Sequence, residues 1–229
     1  MLGTVVNCLA IIVGCIVGIF IKDRMTEKIS QTIMNGLSLC VLYIGVSGSL
    51  ECENTMVMII SIAIGALIGE LIDIDKWIIK LGDKIEEKFK KDNSNQLSIS
   101  QGFVFASLLF CVGAMAIVGS LQSGLSNNHE ILFAKSILDG ISSIIFATTL
   151  GIGVMFSSIA VFIYQGVITL GASFLSGVLS ESVINIMSST GSLLIIGLAF
   201  NMLKVTNIKV ANLLPAVFLP IFFALLNII

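Results

Sequence analysis

Long apolar stretches separated by short polar breaks recur from one end of the chain to the other. They cover roughly 2–21, 32–50, 55–72, 102–121, 136–151, 153–173, 189–203 and 210–229. A helix needs about 20 apolar residues to cross the hydrocarbon of a bilayer. The pattern therefore predicts an all-α integral membrane protein, a bundle of about eight spanning helices forming one transmembrane domain over 1–229. The stretch 136–173 is too long for one ordinary span and tight for two. Gly151-Ile152-Gly153 in its middle is read as a hinge between two short helices, because glycine adopts backbone angles closed to other residues.

One polar segment has its own period. In DIDKWIIKLGDKIEEKFKKDNSNQ, residues 73–96, Ile74, Trp77, Ile78, Leu81, Ile85 and Phe89 form an apolar stripe at helical spacing. Lys76, Lys80, Lys84 and Lys88 form a ladder on another face. This predicts an amphipathic helix over 74–91 lying in the membrane interface, its lysines toward anionic headgroups.

Composition agrees with a membrane setting. The chain is 56% hydrophobic and only 11% charged, with a mean hydropathy of +1.08, whereas a soluble domain carries about 25% charged residues. The first apolar run has no basic residue before it and KDRMTEK after it, the reverse of a signal peptide, and reads as a retained span. With the N-terminus outside and eight spans, eleven of the twelve basic residues fall in cytoplasmic loops and Lys135 alone outside. That is the asymmetry the positive-inside rule requires, and it places both termini outside. A net charge of −2, with the basic residues at membrane edges, argues against nucleic-acid binding. Four of the five cysteines lie in apolar runs and no CxxC or Cys/His cluster appears, so neither a metal centre nor a disulfide framework is expected.

Two segments, TEKISQTIMNGLSLCVLYIG (26–45) and SESVINIMSSTGSLLIIG (180–197), share an acid, an Ile-Met step and an apolar run with two glycines. They open the second and seventh spans, which run in opposite directions, so they suggest an inverted repeat of the kind transporters use. Chance likeness among Ile/Gly/Leu-rich helices stands beside that reading. Gly14 and Gly18 in the first span, and Gly65 and Gly69 in the third, are GxxxG pairs suited to close helix packing. Packing of spans one and three within the chain is expected ahead of a homo-oligomer, which stays open.

No catalytic residue is assigned. HExxH, GxSxG and Walker A motifs are absent, and His129 stands in an outside loop beside Glu130. The chain is read as neither an enzyme nor an ATP-driven pump, and no cofactor is implied. The candidates for binding are the polar side chains in spans: Asp139, Gln165, Gln122, Asn201 and Asn212, with Asn7, Asn35 and Glu70 also in or near spans. Polar groups at membrane depth are costly unless paired or wetted. Asp139 has two readings, a first-turn helix residue stabilised by the helix dipole or an ion or proton site. A tight antiparallel pair turning at Gly151 would bring Asp139 and Gln165 to similar depth as a shared site. Glu70 reads as one half of an interfacial ion pair.

Three blocks carry a resemblance: GTVVNCLAIIVGCIVG at the start, GSLQSGL with KSILDGISSIIFATTLGIGVMFSSIAVFIYQG in the middle, and NLLPA near the end. Together they resemble the bacterial membrane-protein family catalogued as domain of unknown function 554. The resemblance implies a bacterial cytoplasmic membrane and no particular mechanism. An acid often follows the glutamine of the first middle motif in that pattern; this chain has Ser123 there. The reading that results is a secondary transporter or channel for an unknown small solute or ion. Its rival is a non-transporting structural or accessory membrane protein.

Overall fold

The computed structural model describes residues 1–22, 26–77, 79–80 and 99–226. These are mostly helical, with no strand among the described residues. In chain order the helices are α1 (Leu2–Lys22), α2 (Glu27–Leu50), α3 (Thr55–Ile72), α4 (Ile99–Cys111), α5 (Ala114–Leu125), α6 (Glu130–Leu150), α7 (Gly153–Leu170), the four-residue α8 (Ala172–Leu175), α9 (Glu181–Met202) and α10 (Pro215–Leu225). A 3-10 turn, Val210–Leu213, precedes α10.

Helix starts are set by short polar side chains that satisfy free backbone N–H groups. Thr26 accepts from the N–H of Ile29, Asn54 from Val57 and Ser180 from Val183. Helix α3 stops on a left-handed residue and α6 on a glycine of positive φ. Asp73 closes α3 at φ 56, and Gly151 closes α6 at φ 69, giving its N–H to the carbonyl of Ala147 at 3.0 Å. The expected turn at Gly151–Gly153 is present, and Gly153 packs against the backbone of Ile99 and Gly102.

Among the described residues, six helices are long and apolar enough to cross a membrane: α1, residues Gln31–Leu50 of α2, α3, α6, α7 and α9. The remaining two expected spans differ from the reading above. Residues 102–121 are not one straight helix. The chain breaks at Val112-Gly113, where Gly113 takes φ 124, and α4 and the helix after it are bent by 61°. Neither piece alone reaches across about 30 Å of hydrocarbon at 1.5 Å per residue. The last span is the short apolar segment Val210–Leu225. Two boundaries also move. Helix α6 starts at Glu130, not 136, and α9 at Glu181, not 189, because their amphipathic lead-ins bury Leu132 and Lys135, and Val183, Ile186 and Met187. Of the amphipathic helix expected over 74–91, residues 78 and 81–91 lie outside the described residues; 74–77 and 79–80 are helical, and Trp77 is exposed.

The helices pair along defined seams. Helix α1 lies against α6 and α7, α2 against α9, α4 against α7, and α3 against the 210–225 segment. Both glycine pairs serve these seams, but not by joining spans one and three. Gly14 and Gly18 abut the backbone of Gly140 and Ile144 on α6, while Gly65 and Gly69 abut Ala216 and Asn212. The apolar interior centres on Ile11, Cys15, Phe105, Phe110, Phe146, Val154, Leu194 and Ala199, with Phe105 edge-on to Phe146 at 4.8 Å. One end of the bundle carries the starts of α1, α6 and α9 and the ends of α2, α5 and α7. There Gly3 meets Leu132, and Asn185 ties α9 to the α2–α3 loop through the carbonyl of Glu51 at 2.8 Å and the N–H of Glu53 at 3.0 Å.

Candidate functional site

Helix α6 buries a lysine and a carboxylate one turn apart. The Lys135 ammonium donates to Asp139 Oδ1 at 3.0 Å and lies 3.0 Å from Oδ2. Asn7 on α1 donates its side-chain N–H to Oδ2, also at 3.0 Å. Asn7 is fully buried, and Asp139 and Lys135 nearly so. The spacing from 135 to 139 is one helical turn, which brings the two side chains to the same face. A carboxylate withdrawn from water needs this kind of compensation, since an isolated buried charge costs several kcal/mol or more.

Further buried polar atoms lie on these two helices and on α5 and α7. Thr4 Oγ1 and Asn7 Oδ1 on α1, Ser120 Oγ on α5, Ser143 Oγ on α6, and Gln165 Oε1 and Nε2 with Thr169 Oγ1 on α7 are buried without a hydrogen-bond partner. Gln165 is wholly enclosed. At the mouth of this end Ser123 Oγ and His129 Nδ1 share a hydrogen bond of 2.9 Å.

Asp139 and Gln165, expected to face each other as a shared site, are not joined by a hydrogen bond. The oxygens of Asp139 are engaged by Lys135 and Asn7, and Gln165 bonds neither. Register explains the difference. Cys8 on α1 gives its S–H to the carbonyl of Ser158 on α7 at 3.3 Å, and Gly166 lies beside Met1. The two helices run antiparallel, so Gln165 stands level with the start of α1, six residues before Asn7. Asp139 is also not a first-turn residue, because α6 begins nine residues earlier at Glu130. Lys135, read above as an outside-loop residue, is buried inside that helix.

The other candidates do different work. Gln122 is half-buried, and its carbonyl accepts from the N–H and hydroxyl of Ser126 at the end of α5. Asn201 staples the loop after α9: its N–H reaches the carbonyl of Ile208 at 2.7 Å, and its oxygen accepts from Thr206 at 2.8 Å and the Ile208 N–H at 2.9 Å. Asn212 belongs to a cluster at the far end. It donates to Glu70 Oε2 at 2.6 Å and accepts from the N–H of Asp75 at 2.7 Å. Glu70 does form an ion pair, with Lys209 at 2.7 Å across an exposed surface. Hydrogen bonding to Glu70, and its charge, hold the Lys209 ammonium above the usual lysine range. Asn201 and Asn212 thus fasten loops and do not converge on Asp139.

Sequence reasoning noted Asn7 as a polar residue of a span without assigning it to a site, and passed over Lys135, Thr4, Ser120 and Thr169. The four-residue step from Lys135 to Asp139 was the available signal for one of them. Nothing in the linear sequence brings Asn7 to Asp139, 132 residues away.

Comparison with known proteins gives the lineage. The chain is 29% identical over 224 residues to "Uncharacterized membrane protein YdfK" of Bacillus subtilis (strain 168), covering 96% of this chain and 94% of the relative. It is 29% identical over 220 residues to "Uncharacterized protein YqgA" of Escherichia coli (strain K12), covering 95% and 94%. No solved structure matches. Residues 2–225 match the family described as "Protein of unknown function (DUF554)". The chain belongs to that family, and it is a membrane protein.

Proposed function

We propose that the protein is a secondary transporter or channel for a small solute or ion in the bacterial cytoplasmic membrane, with its N-terminus outside. The observation that carries this reading is the buried Lys135–Asp139–Asn7 cluster, set among unpartnered polar atoms of spanning helices. Ionisable groups inside membrane helices are expensive to hold and characteristically mark solute or ion paths. The helix pairing supports an inverted repeat. Spans one and six (α1, α7), two and seven (α2, α9), and three and eight (α3, α10) each lie against one another. A two-fold axis in the membrane plane would place related helices this way. The charge pattern supports the orientation: Lys22, Lys28, Lys76, Lys80, Lys204 and Lys209 all follow or precede helices at the end opposite the start of α1. On this reading the 74–91 segment rests on anionic headgroups.

A structural role has one observation in its favour. The carboxylate of Asp139 is already satisfied within the protein, as a cross-link between α1 and α6 would be. One experiment separates the two. The purified protein is screened for solutes that raise its melting temperature, since a ligand of the folded state stabilises it by mass action. Flux of each hit is then measured in proteoliposomes for the unmodified chain and for Asp139→Asn. Transport predicts flux that Asp139→Asn abolishes with the fold intact. An absence of both hits and flux, with Asp139→Asn tolerated and Asp139→Leu destabilising, would leave the structural role.

A further inference from the structure

We infer that α1, α5 and α7 form a binding site for a dehydrated alkali cation, sodium or potassium, at the end of the bundle where α1 begins. The inference deepens the transport reading by naming a coupling ion; its role in transport rests on that reading, while the binding itself does not.

Buried polar atoms lacking a partner are unusual and call for an explanation. Among the described residues there are ten, and seven belong to α1, α5, α6 and α7. Other buried hydroxyls, several of them on α6 and α7, avoid this cost by bonding to their own helix: Ser38, Ser136 and Thr190 reach back four residues, and Thr148, Thr149 and Ser157 three; Ser61, Ser107 and Ser188 on other helices do not. Ser120 and Thr169 sit in helices with the same carbonyls on offer and leave their hydroxyls unpaired. Gln165 leaves both ends of its amide unpaired while wholly enclosed.

Packing brings Ser120, Gln165 and Thr4 toward one level, with Thr169 one turn away on the same face as Gln165. Gly124 lies against the carbonyl of Thr169, so α5 and α7 touch there. The α4–α5 pair meets the start of α7 at Gly102–Gly153 and its end at Gly124–Thr169, so, across its bend, it advances in the same sense as α7. Ser120 is one turn before Gly124, and Gln165 one turn before Thr169, so Ser120 and Gln165 share a level. Gly166, next to Gln165, lies beside Met1, which sets the first turns of α1 and their Thr4 at this height.

The chemistry of the shell selects the ligand. Thr4 Oγ1, Ser120 Oγ, Gln165 Oε1 and Thr169 Oγ1 make four oxygens that can face a positive ion, while Asn7, six residues from the level of Gln165, stays with Asp139. None is a carboxylate, and the nearby charge of Asp139 is matched by Lys135. Hard divalent cations are held by carboxylates. Uncharged oxygens that replace a hydration shell suit monovalent ions instead.

The test uses the full-length protein purified in detergent. Thermal unfolding is followed in NaCl, KCl and choline chloride at constant ionic strength. The expected result is a saturable rise of several degrees in Tm as sodium or potassium replaces choline. Gln165→Leu should lose that response while melting no lower than the unmodified chain in choline, because the unpaired amide is gone. Thr169→Val, close in shape, should weaken the response at least tenfold in half-saturating concentration, and it answers the question even where Gln165→Leu fails to fold. Equal Tm in all three salts, or a response unchanged in the variants that fold, would overturn the site. Solute flux without any alkali-cation effect on Tm would overturn the site and leave transport standing. A Gln165-dependent cation response with no flux of any solute would do the reverse.

Discussion

The amide of Asn7 and the carboxylate of Asp139 meet at 3.0 Å across 132 residues of chain, joining the first helix of the bundle to the sixth. Lys135 completes the arrangement from the same helix as Asp139. An acid, a base and an amide are thus withdrawn from solvent together, and each depends on the others for its polar contacts.

That dependence has an energetic signature. Asp139→Leu should destabilise the protein by about 3–5 kcal/mol, because it strands the Lys135 ammonium in the interior. Lys135→Met with Asp139→Leu should recover most of this loss, since an apolar pair replaces a buried ion pair at little cost. Unfolding of the two single variants and the double variant in mixed detergent gives the coupling energy. A double variant as unstable as the sum of the singles would deny the pair.

The glycine seam between α1 and α6 should tolerate no side chain. A Cβ at Gly14 or Gly18 would strike the carbonyl oxygen of Gly140 or Ile144. Gly14→Val and Gly18→Val are therefore expected to cost about 1–3 kcal/mol or more by overpacking. Gly36 on α2 has nothing within 4 Å of a built Cβ, so Gly36→Ala should leave the melting temperature unchanged or slightly raised.

The Glu70–Lys209 pair gives a pH-dependent outcome. Lys209 has its pKa raised in the folded protein, so the stabilisation is complete below the unfolded lysine value. It is lost as pH climbs through the folded value. Glu70→Gln should bring Lys209 back toward the ordinary lysine range. Acetylation of Lys209, followed by mass spectrometry across alkaline pH, should then begin at lower pH in the variant. The pair is exposed, so little change in overall stability is expected.

Orientation can be read by labelling. With the N-terminus outside, a membrane-impermeant maleimide should reach Cys52, in the loop between α2 and α3, in intact cells. A cysteine placed at Lys204 should react only after the membrane is opened. The reverse pattern would invert the topology.

Much of the helix plan was legible because hydropathy and helix length are local quantities. The hinge at Gly151 was legible for the same reason: two glycines between apolar runs leave few other conformations. The break at Gly113 was not. The surrounding run is uniformly apolar, and only the positive φ of Gly113 shows that the helix stops there. The candidate site was half-legible. Asp139 and Gln165 stood out as polar residues in lipid-like sequence, but their partners depend on which helices neighbour one another. Lys135 was misplaced by a boundary. The start of a span is ambiguous when its first turns are amphipathic, and six residues of extra helix turned a loop lysine into a buried counter-ion.

The contrast between the two seams of α1 has a mechanical consequence. Toward α6, backbone rests on backbone at Gly14 and Gly18, and no layer of side chains separates the helices. Such surfaces cannot shear past each other without collision, so α1 and α6 behave as one lever. Toward α7 the polar link is softer, a thiol of Cys8 on the carbonyl of Ser158 and another of Cys15 near that of Gly151 at 3.9 Å. Thiols are weak donors and yield readily. Any opening at this end of the bundle should therefore part α7 from the α1–α6 lever, carrying Gln165 and Thr169 away from Thr4 and Asn7.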